Sequence, residues 1–412
     1  MSDVRRYRPH ALPECDQVLV VMSDIEMGAG GPTDDFPHSD FLGEIITSYN
    51  DPPYADLPVE LILNGDTFDL LKTSFEGAYP RHVSAEVAIG KMERIAQAHP
   101  LFFAGLREFL SHQGAERRVY FVVGNHDSEL QFSELQQFIR NQCNCGDRVH
   151  FPGFELQVGR VHIEHGSQLD PMFRVDPEQP FVAFDGSEVL NISWGSAALL
   201  DTIMVLHPLL CFHDRLKPKE LVFEVLPEIK EVAVGAFWDY WTGDYWKGYF
   251  EKDDPTRRLS WNMVKELVWR FGSRNPEVAM DKSLFQRMQE EDRFSLYILG
   301  HQHQPTWYSY GDRKVLMNGC LRNEYMLIDD GRGVRPIVKN YSEAYLQKGV
   351  PVLSHFVELE GPPAPPGYIP KSVFDVIPKV KKLLANGADL PPDQSRLKAQ
   401  KKRDAAARKK ER

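Results

Sequence analysis

The sequence predicts an α/β fold carrying a largely helical insertion. Three observations lead there. Apolar, β-branched runs recur along the first third of the chain and again near Tyr297, each ending in Gly, Asp, Asn or His. A stretch with apolar residues at helical spacing separates the second run from the third. From about 167 to 293 the pattern changes to long helical-looking segments that hold Trp194, Trp238, Trp241, Trp246, Trp261 and Trp269.

Gln17 to Met22 (QVLVVM) is continuously apolar, as a strand buried on both faces must be. Val59 to Leu63 and Arg118 to Val123 repeat it, and the helical spacing from Ser84 to Ser111 supplies the crossover of a βαβ unit. Shorter alternating segments follow at His150 to Gln157 and Val161 to His165. Ser295 to Leu299 is another buried strand. Thr306 to Tyr310 and Lys314 to Met317 flank a Gly311-Asp312 turn and read as a hairpin. Ser196 to Phe212 is apolar but broken by Asp201, His207 and Pro208, and it is too short to span a bilayer. The expected organisation is a core from 1–166 and 294–345, a cap-like insertion at 167–293, a C-terminal extension at 346–395 that is Pro-rich and then helical after about Pro362, and a basic tail at 396–412.

The chain has 412 residues, 42% apolar and 26% charged, ordinary globular values that argue against wholesale disorder and against an integral membrane protein. Its formal charge is −11. From Arg396 to Arg412 nine Lys/Arg stand against two Asp/Glu, a net of +7, which leaves −18 for the rest. Such an acidic body does not attract polyanions broadly. The tail reads as a solvated helix, with a nucleic-acid, anionic-lipid or protein contact as the functional alternative. Five Cys and an N-terminus without an apolar run suggest a reduced, cytoplasmic protein.

Five segments end in metal-ligating residue types: Asp24-Ile25-Glu26, Gly65-Asp66-Thr67-Phe68-Asp69, Gly124-Asn125-His126-Asp127, His165-Gly166 and Gly300-His301-Gln302-His303. Residues just past strand C-termini share one rim of a sheet, where open α/β sheets place their ligands. Carboxylate, imidazole and amide groups together suit divalent cations. Two cations about 3.5–4 Å apart can activate a water and clamp a phosphoryl group. Asp127 reads as a loop-fixing residue, His162 as a packed structural one, and Asp34, Asp35, His38 and Asp40 as a solvated polar loop.

These five segments resemble the motifs of the calcineurin-like metallophosphoesterase superfamily, over roughly Val18 to Asn340 without the insertion. The resemblance implies a four-layer α/β/β/α sandwich. It also implies hydrolysis of a phosphoester or pyrophosphate bond by a metal-activated hydroxide at a dinuclear site. By the same likeness Asp66 matches the bridging carboxylate. Asp24 and His303 match ligands of the first metal, and Asn125, His165 and His301 those of the second. His126 matches the catalytic acid and Asp69 the carboxylate that orients it. Glu26 stands where the family has a histidine. It reads as a ligand, direct or through water, with a weak or absent first metal as the alternative. A carboxylate there favours Mn²⁺, with Mg²⁺, Fe²⁺ and Zn²⁺ as the other candidates.

The layout of the insertion is similar to that of the UDP-2,3-diacylglucosamine pyrophosphatase group, which implies a nucleotide- or lipid-linked substrate. An SbcD-like DNA nuclease shares the motifs and is the first alternative. A catalytically weak partner-binding scaffold is the second, and Glu26 is its support.

Overall fold

The computed structural model describes residues 12–202, 204, 207, 211–218, 221, 224, 254–257, 278–328, 333–365, 368 and 378. The Trp-rich stretch 237–250 and the basic tail lie outside these residues, as do 225–253 and 258–277 of the insertion.

The fold is α/β. Its larger sheet has six strands in the order β16-β15-β1-β2-β3-β4: β1 Gln17–Met22, β2 Val59–Asn64, β3 Arg117–Val122, β4 Val149–Gly153, β15 Lys339–Gln347 and β16 Val350–Leu359. β1 to β4 run parallel, while β15 and β16 form an antiparallel edge. The second sheet has the order β11-β12-β10-β6-β5: β5 Glu155–Val158, β6 Val161–Glu164, β10 Leu296–Leu299, β11 Thr306–Tyr310 and β12 Arg313–Met317. Within it β10 is parallel to both β6 and β12. A hairpin of β7 Phe181–Phe184 and β8 Ser187–Leu190 stands apart. So does a small sheet of β9 Leu216–Lys217, β13 Tyr325–Ile328 and β14 Gly333–Pro336.

Leu19, Val21, Ile62 and Val122 of the first sheet share one buried cluster with Ile163, Ile298 and Leu316 of the second. The other face of the first sheet packs on α1 Ser39–Thr47, α2 Ala85–Ala98, α3 Pro100–Leu110 and α4 Ser133–Cys143. Leu284 and Met288 of α6 Val278–Glu290 pack behind β10 and β12, whereas Ala197 and Leu200 of α5 Trp194–Thr202 pack into the core between the first sheet and α1 to α4.

Several boundaries differ from expectation for physical reasons. The helical stretch 84–111 is two helices, because Pro100 lacks the N–H that α2 would need and instead opens α3. The large sheet runs on to Leu359, beyond the core boundary at 345. The loop expected to be solvated is mostly buried: Asp34 and Asp35 are fully enclosed and His38 nearly so. Asp34 satisfies its carboxylate on the Gly28, Gly30 and Phe36 amides and on His99. His162 is packed against Phe294 and Tyr297. All five cysteines are free. Among the described residues no helix is long and apolar enough to cross a membrane.

Candidate metal centre

Every motif residue follows the C-terminal end of a strand: Asp24 and Glu26 after β1, Asp66 and Asp69 after β2, Asn125 and His126 after β3, His165 after β6, His301 and His303 after β10. Within each sheet the motif-bearing strands run parallel, so their ends line two adjacent rims. Polar ties join those rims. The Asn64 side chain donates to the Glu164 carbonyl at 2.9 Å, the Gly300 amide to the His165 carbonyl at 2.8 Å, and the His301 amide to both oxygens of Asp24 at 3.2 and 3.1 Å.

The loops are strained where the candidate ligands sit. Asp24, Glu26, Asp66, His301 and His303 have φ of 53°, 52°, 50°, 75° and 59°, in the left-handed region that L-residues other than Asn and Asp seldom enter. The cost is about 1 kcal/mol or more at Glu26, His301 and His303 and smaller at the two aspartates, and such strain clusters where function holds it in place. A side chain on Gly124 would collide with the Asp66 carboxylate, which explains the glycine beside that motif.

Four acceptor atoms converge at one end. His165 Nδ1 donates to the Asn64 carbonyl at 3.1 Å, so in the neutral ring Nε2 carries a lone pair. That lone pair faces Asp66 Oδ2 at 3.2 Å, Asn125 Oδ1 at 3.2 Å and Asp24 Oδ1 at 4.0 Å. At the other end His303 Nδ1 donates to Glu324 at 2.8 Å, and its Nε2 faces Asp24 Oδ1 at 3.1 Å and Glu26 Oε1 at 3.6 Å. Lone pairs set against one another repel unless a proton or a cation lies between them. The residues therefore fit divalent cations, most fully at the His165 end. Burial disfavours charge on His165, but Asp66 and Asp24 outweigh it and raise its pKa to about 10. Burial likewise opposes ionisation of Asp66, and His165 and His126 overcome it and hold its carboxyl low.

His301 stands beside this group: its ring lies 5.2 Å from that of His165, while its Nε2 is 3.4 Å from Asp170. His126 Nδ1 donates to Asp69 Oδ1 at 3.0 Å, and the His126 amide donates to Asp66 at 2.7 Å. Against the cost of burial, Glu26, Asp66 and Asp69 lift the His126 pKa to about 10. Asp127 accepts the Gly124 and Thr67 amides at 2.7 and 2.8 Å and so fixes the loop. Burial and then Asp66 raise its pKa to about 7.

Glu26 is claimed by two cations that sequence reasoning missed. Arg322 Nη1 lies 2.9 Å from both of its oxygens, and Lys72 Nζ is 2.8 Å from Oε2. Burial opposes its ionisation, and Arg322 and then Lys72 hold its carboxyl well below the usual range. Asp35, Asp214 and Glu324 complete the network around these two cations. A signal was present. Arg322 and Glu324 follow the apolar run Lys314 to Met317, whose strand β12 is parallel to β10 and ends on the same rim. Lys72 lies three residues beyond Asp69, in a turn whose Lys72 amide donates to the Asp69 carboxylate.

No protein-family model matches the chain, and no curated protein sequence matches it. Solved structures similar to it include a dimetal phosphatase from Danio rerio, at 10% identity and a TM-score of 0.33, over 84% of this chain and 100% of that one. Another is a Staphylococcus aureus protein assigned as a 5′-nucleotidase, in complex with alpha-ketoglutarate. It is 14% identical with a TM-score of 0.30, over 89% of this chain and 58% of that one.

Proposed function

We propose that the chain is a metal-dependent phosphoesterase of the α/β/β/α four-layer type, hydrolysing a phosphoester or pyrophosphate bond at the rim shared by its two sheets. The observation that carries this reading is that Asp66 Oδ2 and Asn125 Oδ1 each lie 3.2 Å from His165 Nε2, with no hydrogen to share when the imidazole is neutral. Asp24, Asp66, Asn125 and His165 would hold one divalent cation. Asp24, Asp66 and His303, with Glu26 adjacent, would frame a second, and the oxygen donors of Asp24, Asp66 and Asn125 make Mn²⁺ the metal we expect. Divalent cations in these positions supply Lewis acidity and lower the pKa of a water.

The protein's own groups then have separate tasks. Asp69 accepts the Nδ1 hydrogen of His126 and fixes the ring, which leaves Nε2 to give a proton to the leaving oxygen. Asp127 and the backbone tie from His126 to Asp66 keep both loops in register. A nucleotide- or lipid-linked substrate is the expectation we attach to the insertion. The hold of Arg322 and Lys72 on Glu26 is the observation favouring the second reading, a catalytically weak scaffold.

The test is turnover by chelator-treated protein with metals added back, on aryl phosphomonoesters and diesters, nucleotide pyrophosphates, and single- and double-stranded DNA. Mn²⁺-restored hydrolysis of a small ester, lost in Asp66→Asn, supports the proposal. Full turnover in the presence of chelator contradicts it. Metal binding without turnover on any substrate would favour the scaffold.

A further inference from the structure

We infer that Lys72 and Arg322 withhold Glu26 from metal ligation, so that the two cation positions are grossly unequal: one is tight, at Asp66, Asn125 and His165, and the other is weak, at His303. This inference rests on the proposed metal centre and concerns how that centre is filled.

Glu26 is 1% exposed, and its two oxygens already take Arg322 Nη1 at 2.9 Å each and Lys72 Nζ at 2.8 Å. Neither cation is free to swing away. Lys72 Nζ also touches Asp35 at 2.5 Å, Asp69 at 3.0 Å and Asp214 at 3.0 Å. Arg322 spends Nε and Nη2 on Glu324 at 3.1 and 2.8 Å, and Nη2 also on the Asp214 carbonyl at 2.9 Å. Glu324 in turn accepts from His303, so the imidazole of the weak position is tied to the same network.

A divalent ion bound to Glu26 at an ordinary metal–oxygen distance would sit within about 5 Å of two fixed positive charges. Without Glu26 the position keeps only Asp24, Asp66 and His303. Asp24 and Asp66 are also the carboxylates nearest His165, so the first cation draws on them too. Among the described residues no Lys or Arg side chain pairs with the Asp24 or Asp66 carboxylate, whose ion-pair partners are the imidazoles of His165 and His303. Lys72 and Arg322 therefore act as positioning residues through Glu26 and tune the centre without ligating it.

The experiment is a titration of chelator-treated full-length protein with Mn²⁺, counted by the loss of the free-ion electron paramagnetic resonance signal and checked by elemental analysis after gel filtration. Wild type should take up one tight equivalent, with the second at least about 100-fold weaker. Glu26→Gln keeps the shape and should leave the tight equivalent within about threefold. Lys72→Met should narrow the gap at least about tenfold by tightening the weak position alone, and Arg322→Lys should retain it. Two equal tight equivalents in wild type would overturn the inference, as would loss of a tight equivalent in Glu26→Gln. If Lys72→Met does not fold, the wild-type and Glu26→Gln counts still decide. No bound equivalent at all would instead sink the metal-dependent reading of the site.

Discussion

His126 and Asp69 are joined by a hydrogen bond of 3.0 Å beside the candidate ligands. If His126 protonates a leaving oxygen, His126→Gln should lose about 10²–10³-fold in turnover on an ester with a high-pKa leaving group. The loss should be much smaller for a nitrophenyl ester, whose phenolate departs without a proton. Equal losses on both would assign the imidazole to holding phosphate charge. A different histidine reports on pH. Burial, followed by Lys339, lowers the His38 pKa to about 4, and Asn323 Nδ2 lies 3.2 Å from its Nε2. The unfolded chain binds that proton at about 6.5. Between the two values the unfolded state holds more protons. His38 therefore stabilises fully above about pH 6.5, and its contribution, on the order of 1–2 kcal/mol, is lost as pH falls toward 4. Urea unfolding of His38→Asn from pH 7 to 4 should show a shallower decline than wild type; an identical decline would place the titration elsewhere. Single residues were legible in the sequence where a motif isolates them, as with Asp66 or Asn125. Arg322 was not, because its partners Glu26 and Asp214 lie 296 and 108 positions away.

The strands that carry the motifs were readable because they are buried on both faces, as β1 and β2 are almost throughout. β15 was missed although eight of its nine residues are buried. Its interior residues include Asn340, Ser342 and Glu343, which read as surface until their partners are known. Glu343 is fully enclosed and accepts hydrogen bonds from the Tyr49 and Tyr345 hydroxyls. Glu343→Ala should therefore cost about 3 kcal/mol or more, as a broken buried polar network does, against near-neutral effects of exposed changes on β16. Differential scanning calorimetry would measure it. The strand-end loops make a further prediction. A Cβ on Gly300 would lie 2.6 Å from Asp24 Oδ2 and 2.7 Å from the Ser23 Cβ. Gly300→Ala should destabilise by about 1–3 kcal/mol and weaken metal uptake together. Destabilisation with unchanged metal uptake would separate the loop's packing from the centre.

The two sheets share a buried cluster, and polar ties between their strand-end loops bring together candidate ligands drawn from both ends of the chain. The α/β class followed from a few apolar runs. The pairing of β15 with β1 did not, since it joins segments more than 300 residues apart. A cation bound only by the folded state should raise Tm, by an amount equivalent to about 2.7 kcal/mol at a hundredfold excess over its Kd. Removing residues 396–412 should leave small-ester turnover and that metal-dependent Tm shift unchanged, because no candidate ligand lies there. The most direct measurement is a crystal soaked in Mn²⁺ and recorded near the manganese absorption edge. An anomalous peak about 2.0–2.3 Å from Asp66 Oδ2, Asn125 Oδ1 and His165 Nε2 is the predicted result. Anomalous density elsewhere on the molecule, with none among these three atoms, would contradict the assignment of the metal centre.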